Sequence, residues 1–145
     1  MHFSFGDIIT RSLGLDIGDR RIGVALSDPG GILASPFTII DCTDEQQAIE
    51  ALIAIIEQNE VGHIIAGLPR SMNGSIGRQA EKVKTFIQKL CSRTEVPVEF
   101  RDERLTTVSA KRLMQASRTK KTKRKARDDA IAAALILQGY LDEKH

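Results

Sequence analysis

Five carboxylates stand out by position. Asp16 lies in Leu13-Gly14-Leu15-Asp16-Ile17-Gly18, a run that otherwise reads as a buried strand. A charge there costs several kcal/mol to desolvate unless it is paired or metal-bound, and the glycines on either side leave room for a ligand. The bland alternative is a strand-end aspartate accepting hydrogen bonds from the next turn. Asp102 and Glu103 sit between Arg101 and Arg104. They read either as a surface ion-pair cluster of small energetic value or as one site ligand and its neighbour, since strand alternation aims them at opposite faces. Asp128 and Asp129 precede an apolar run and could simply cap a helix, which accounts for one acid better than for two. If the acids on the first strand, after the last strand and at the last helix converge, they repel one another unless a hard divalent cation joins them. Oxygen donors of this kind favour Mg²⁺ or Mn²⁺ over zinc. Two such ions ~3.5–4 Å apart would clamp the attacking and leaving oxygens of a phosphodiester.

Other chemistries find little support. His2, His63 and His145 have no metal-ligand spacing, and Cys42 and Cys91 are isolated, which fits a reducing compartment rather than a disulfide framework or a cysteine zinc site. No Walker loop and no serine or cysteine triad is evident. Supporting cations are easier to find. Arg70 and Arg78 flank a Gly-, Ser- and Asn-rich loop whose backbone N–H groups could meet phosphate, or which could be an ordinary loop capped by Ser75. Arg104 could grip a scissile phosphate bidentately or pin Glu103. Thr106 and Thr107 read as helix caps. With one tyrosine, five phenylalanines and no tryptophan, base stacking is not the obvious mode of recognition. Backbone and shape are, which suits structured RNA or branched DNA.

The charge is uneven. The 145 residues carry 21 basic and 19 acidic side chains, net +2. Arg118–Arg127 holds seven basic residues and no acid, so 14 basic residues face 19 acidic ones elsewhere, a net of −5. Lys120, Lys121, Lys123, Arg124, Lys125 and Arg127 are therefore candidates for phosphate contacts that release counterions. Residues 117–127 otherwise read as a solvated, mobile surface loop.

The elements that must position these groups follow from periodicity. Ser12–Gly18 and Arg20–Asp28 alternate and are joined by a short Gly-containing link. Pro29-Gly30-Gly31 reads as a turn, and Ser35–Ile40 as a third strand, giving an antiparallel meander. Thr43 and Gln46 have capping-box spacing ahead of a helical face of Ile49, Leu52, Ile53 and Ile56. His63–Leu68 predicts a central strand covered on both faces. Ile76 to Leu90 marks a helix, Val96–Arg101 a strand that Pro97 pushes to an edge, and Thr106 or Thr107 to about Gln115 another helix. Ala130–Leu141, apolar nearly all round, predicts a buried one. The order β-β-β-α-β-α-β-α-α predicts one α/β domain over residues 1–145, with a five-stranded mixed sheet flanked by helices on both faces. An apolar fraction of 41% suits a globular chain, no run is apolar enough to span a membrane, and no secretory signal is expected.

Several runs together carry a resemblance. They are Leu13–Gly18 with Arg21-Ile22-Gly23-Val24-Ala25, Ser27-Asp28, Gly67-Leu68-Pro69 with Met72-Asn73-Gly74-Ser75, Asp102-Glu103-Arg104-Leu105-Thr106-Thr107, and Asp129 with the alanine-rich tail to Leu141. The chain resembles the YqgF family of RuvC-like proteins, described both as Holliday junction resolvases and as pre-16S rRNA nucleases. The resemblance spans about Leu13 to Leu141. It implies an RNase H-like fold and a metal-dependent nuclease with Asp16, Glu103 and Asp129 as catalytic and metal-binding carboxylates, Asp102 and Asp128 being less certain neighbours. It implies a cytoplasmic role in 5′-end maturation of pre-16S rRNA, with the small ribosomal subunit precursor as partner and a resolvase role on branched DNA as the alternative. Residues 1–10 then read as a variable extension, and Asp19 stands where a smaller residue or Thr is usual. Two other readings compete: a non-catalytic nucleic-acid-binding assembly factor driven by the basic run, and a fragment of an actin-like kinase, for which one domain is too little.

Overall fold

In the computed structural model, described for residues 10–69, 74–102 and 121–144 but not for the side chains of 74–76 and 121–128, the meander forms as its alternation predicts. Strand β1 (Arg11–Ile17) pairs antiparallel with β2 (Arg21–Ser27), and β2 antiparallel with β3 (Ala34–Asp41). The Gly18 N–H closes the first turn on the Arg21 carbonyl at 2.9 Å. In the second turn Gly31 takes φ 73°, which only glycine adopts without strain. The Asp28 carboxylate accepts the N–H groups of Gly30, Ile32 and Leu33 at 3.1, 2.8 and 2.8 Å, and this holds it below the ordinary aspartate range.

Helix α1 (Glu45–Gln58) leads to β4 (Val61–Leu68), and α2 (Gly74–Cys91) to β5 (Val98–Asp102). Both strands run parallel to β1, in the order β3-β2-β1-β4-β5. Pro36 lies in β3 and Pro97 just ahead of β5, the two edges, where a missing N–H costs no ladder bond. The α1 cap is Asp44, which accepts from Gln47 N at 3.2 Å, and not the expected Thr43. The Thr43 N–H is drawn instead to Asp41 Oδ1 at 2.7 Å. The strand expected at Val96–Arg101 begins two residues later, although the Pro97 carbonyl already accepts from Ile64 N.

The largest departure is the last helix. Helix α3 spans Lys121–Lys144, so residues 121–127 are helical where the sequence suggests a mobile loop, and Asp128 and Asp129 fall in its third turn rather than at a cap. Lysine and arginine are good helix formers, and clustered positive charge alone does not forbid a helix. The helix expected from Thr106 or Thr107 to about Gln115 lies outside the described residues.

Two apolar layers result. Leu13, Leu15, Ile17, Ile22, Val24 and Ile64 turn toward α1 and α2 and pack on Leu52, Val83, Phe86 and Leu90. A fully buried side chain of this kind contributes about 1.5–3 kcal/mol. The other layer joins Ala25 and Ile65 to Ala133, Ile136, Leu137 and Tyr140 of α3. Here the helix comes very close. A Cβ at position 14 would lie 2.8 Å from the Ala133 carbonyl oxygen and 2.8 Å from Leu137 Cβ, and one at position 23 would overlap the Asp129 carbonyl.

Two outcomes follow. Gly23→Ala forces α3 off the sheet, because the obstacle is backbone, and lowers stability by about 1–3 kcal/mol, read as a reduced urea midpoint. An unchanged midpoint contradicts the packing. Asp28→Ala lowers the thermal midpoint at neutral pH, and the gap from the parent protein narrows on acidification. A depressed carboxyl contributes stability above its unfolded pKa and loses it as pH falls through the folded one. A gap that widens in acid refutes the role.

Candidate active site

The β1–β2 register sets the site. Asp16, half-buried and one residue from the end of β1, is the partner of Gly23. Cross-strand partners project to the same side of a sheet, with Cα atoms about 4.5–5.5 Å apart. The missing Gly23 side chain would point into the Asp129 carbonyl, so the side chain of Asp16 and the third turn of α3 share one sheet face, separated by about one strand spacing. Gly14, two residues before Asp16, lies under Ala133 and Leu137 on that same face. The bare backbone at 14 and 23 is thus what lets the α3 backbone, with Asp129 on it, lie close over the face that carries Asp16.

Arg21 completes the cluster. It opens β2 two residues before Gly23, on the same face, and its Nε lies 3.1 Å from Asp129 Oδ2. The two side chains are 36% and 32% exposed, so the pair is reached by solvent. Sequence reasoning did not single out Arg21. The available signal was its parity with Gly23 and Asp16 across the hairpin, which means little until the helix above is known.

The far half of α3 is fastened to β4 and β5. Tyr140 Oη and His63 Nδ1 are 2.9 Å apart with edge-on rings. Arg101 Nη1 lies 2.9 Å from Glu143 Oε1 and draws that carboxyl below its ordinary range. The Arg101 guanidinium lies against Gly139, where a Cβ would stand 2.9 Å from Nη2. Gln138 ties the same helix to the second turn, accepting from Ala34 N at 2.8 Å and donating to the Ile32 carbonyl at 2.9 Å. On the opposite side of the sheet, Gln79 Nε2 donates to the Ile17 carbonyl and Lys82 pairs with Asp19, both at 3.2 Å. These contacts anchor the hairpin tip to α2.

The expected site residues divide accordingly. Asp16 and the backbone of Asp129 lie on one sheet face at neighbouring strand positions. Asp102 ends β5 at the same end of the sheet as Asp16, because β1, β4 and β5 run parallel. Its parity, however, is that of Val98, which packs in the α1/α2 layer, while Arg101 beside it reaches α3. Asp102 therefore belongs to the face opposite Asp16. Glu103, Arg70, Arg104 and Lys120 lie outside the described residues. Lys121, Lys123, Arg124, Lys125, Arg127 and Asp128 are placed by their backbone in the first turns of α3, with side chains outside the description. Arg78 is exposed on α2. Among the described residues no three His, Cys, Asp or Glu side chains form a group able to hold a metal ion. The two acids that share this face offer oxygen donors only, which suits a hard cation in kind and needs a third donor to complete it.

Comparison with known proteins bears on the family and the fold. Residues 10–143 match the family model RuvX, described as Holliday junction resolvase. A protein of Roseiflexus sp. (strain RS-1) named "Putative pre-16S rRNA nuclease" is 45% identical over 134 residues, covering 92% of this chain and 95% of that one. A Clostridium novyi (strain NT) protein of the same name is 47% identical over 132 residues, covering 91% and 98%. Among solved structures, T. thermophilus RuvC in complex with Holliday junction substrate superposes with a TM-score of 0.57 at 9% identity, over 93% of this chain and 96% of that one. The Fowlpox virus resolvase bound to Holliday junction DNA gives 0.55 at 13% identity, over 93% and 99%. The structural likeness fixes an RNase H-like fold, and the sequence match over nearly the whole chain fixes the lineage: this protein belongs to the RuvX family.

Proposed function

We propose that this protein is a metal-dependent nuclease that hydrolyses phosphodiester bonds in structured RNA, with the 5′ end of pre-16S rRNA as its substrate in the cytoplasm. The observation that supports this reading is that Asp16 and the α3 turn carrying Asp129 share one sheet face, at the adjoining positions of Asp16 and its partner Gly23. Asp16, Asp129 and Glu103 would hold Mg²⁺ or Mn²⁺, Glu103 following directly on the β5 terminus that lies at the same sheet end as Asp16. When bound, one or two such ions would activate water and offset charge on the phosphate. Asp16, on a rigid central strand, fixes one ligand position. Asp129 fixes another, because α3 is locked to the sheet by Gly14 and Gly23. Asp102, on the other face, and Asp128 are assigned no part in the reaction.

Substrate is gathered by charge. The basic residues from Lys120 to Arg127, with Arg70, Arg78 and Arg104, would supply the phosphate contacts, and from Lys121 onward the backbone of the basic run leads along α3 to Asp129. The names of the relatives favour precursor rRNA on the small ribosomal subunit precursor. The family description favours four-way DNA junctions, which need two cuts and therefore two copies of the site.

Purified protein is tested on precursor 16S rRNA and on a four-way DNA junction, with Mn²⁺, Mg²⁺ or chelator. Asp16→Asn and Asp129→Asn each lower cleavage by ~10²–10³-fold, the few kcal/mol expected for loss of a charge-stabilising group, while the urea midpoint stays near that of the parent. Asp102→Asn cuts normally. Cleavage by Asp16→Asn at the parent rate refutes the mechanism, and junction cutting without rRNA cutting moves the substrate to DNA. In a separate measurement, changing Lys123, Arg124 and Lys125 to Gln reduces the slope of log affinity against log salt by about one for each phosphate that is no longer neutralised. An unchanged slope removes these residues from the binding surface.

A further inference from the structure

The β1–β2 hairpin presents a guanidinium to one of the carboxylates assigned to cation binding. The Arg21 backbone is held from both sides, its carbonyl by Gly18 N at 2.9 Å and its register by Asp41 of β3. Its head group meets Asp129 through Nε, at 3.1 Å, in a pair that solvent reaches. A guanidinium and a divalent cation cannot both draw fully on one carboxylate oxygen without repelling each other. An arginine also carries two terminal nitrogens beyond Nε, with N–H groups in a planar fork that matches phosphate.

Resting on the metal-nuclease reading above, we propose that Arg21 changes partners. In the metal-free protein it holds the Asp129 carboxylate at the sheet face. A divalent cation takes that carboxylate over, and the freed guanidinium then binds a non-bridging phosphate oxygen of the nucleic acid. Arg21 thereby makes metal loading and substrate binding mutually supportive. It preserves the position of Asp129 when no metal is present and adds a phosphate contact only when the site is loaded. Lysine could supply the charge at this position but not the planar fork.

The experiment uses the full chain. Mn²⁺ binding without nucleic acid is measured by calorimetry for the parent, Arg21→Gln, Arg21→Lys, Asp16→Asn and Asp129→Asn. Affinity for a cleavage-resistant 2′-O-methyl RNA mimic of the precursor end is measured in Mg²⁺ and in chelator. Arg21→Gln is expected to bind Mn²⁺ about fivefold more tightly, because a weak, solvent-reached competitor is gone. It is expected to bind the RNA about tenfold more weakly in Mg²⁺, with little change in chelator, because one charge-assisted hydrogen bond to phosphate is missing. Arg21→Lys restores the Mn²⁺ affinity of the parent but not its RNA affinity, an outcome a merely structural role would not produce. Unchanged or weaker Mn²⁺ binding by Arg21→Gln overturns the exchange, as does RNA binding that falls equally in Mg²⁺ and chelator. If Asp16→Asn and Asp129→Asn abolish Mn²⁺ binding while Arg21→Gln leaves it unaltered, the exchange fails and the metal site stands. If those two variants bind Mn²⁺ like the parent, the metal site itself fails and the exchange falls with it.

Discussion

Helix α3 rests on bare backbone. At Gly14 and Gly23 nothing but hydrogen separates the sheet from the helical carbonyls of Ala133 and Asp129. Almost everything about the candidate site depends on that approach. With a side chain at either position the helix would stand farther off, and Asp129 would project over the sheet at a distance that leaves Asp16 alone on its strand. Because a packed interface deforms poorly, a short helix-to-sheet distance is also a fixed one. The backbone positions of Asp16 and Asp129 therefore share the rigidity of the core and not that of a loop.

The far end of the helix supports the same geometry. Gly139 against the Arg101 guanidinium, Glu143 at its Nη1, the Tyr140–His63 contact and the two Gln138 hydrogen bonds all hold α3 well away from the acids. A helix pinned along its length has little freedom to rotate, so the direction in which Asp129 projects is decided well downstream of it, from Gln138 to Glu143. The opposite side of the sheet carries the larger apolar layer, and the Gln79 and Lys82 contacts hold the hairpin tip from there. The face that carries Asp16 and α3 is thus backed by an apolar layer on the other side of the sheet.

Electrostatics then act on a prepared frame. Bringing two carboxylates toward one another costs energy unless positive charge joins them. Within the described residues Arg21 supplies that charge to Asp129. The backbone of the basic segment from Lys121 to Arg127 forms the turns of α3 that lead into Asp129, so the basic run and this acid share one helix. The uneven charge of the chain, an acidic body with one strongly basic segment, acquires its meaning from this geometry.

Much of this was legible in the residues. The meander, the central apolar strand, the prolines at the edges and the charged strand residue at Asp16 all follow from period-two alternation and desolvation cost, which are local properties of the chain. The basic segment was legible as composition but not as structure. Its helix is stabilised by continuation from the buried Ala130–Leu141 face, and propensity near a charge cluster does not reveal that. Asp129 looked like a helix cap because the apolar run begins just after it, and the helix in fact begins eight residues earlier. Read alone, the residues fix the strands and the two-sided sheet and single out Asp16 as a charge on a buried strand. Only the tertiary structure decided that Asp102 turns to the other face, that Arg21 reaches Asp129, and that two glycines are the seat of a helix. Strand parity becomes a statement about neighbours only once register and packing fix which face lies beneath which helix.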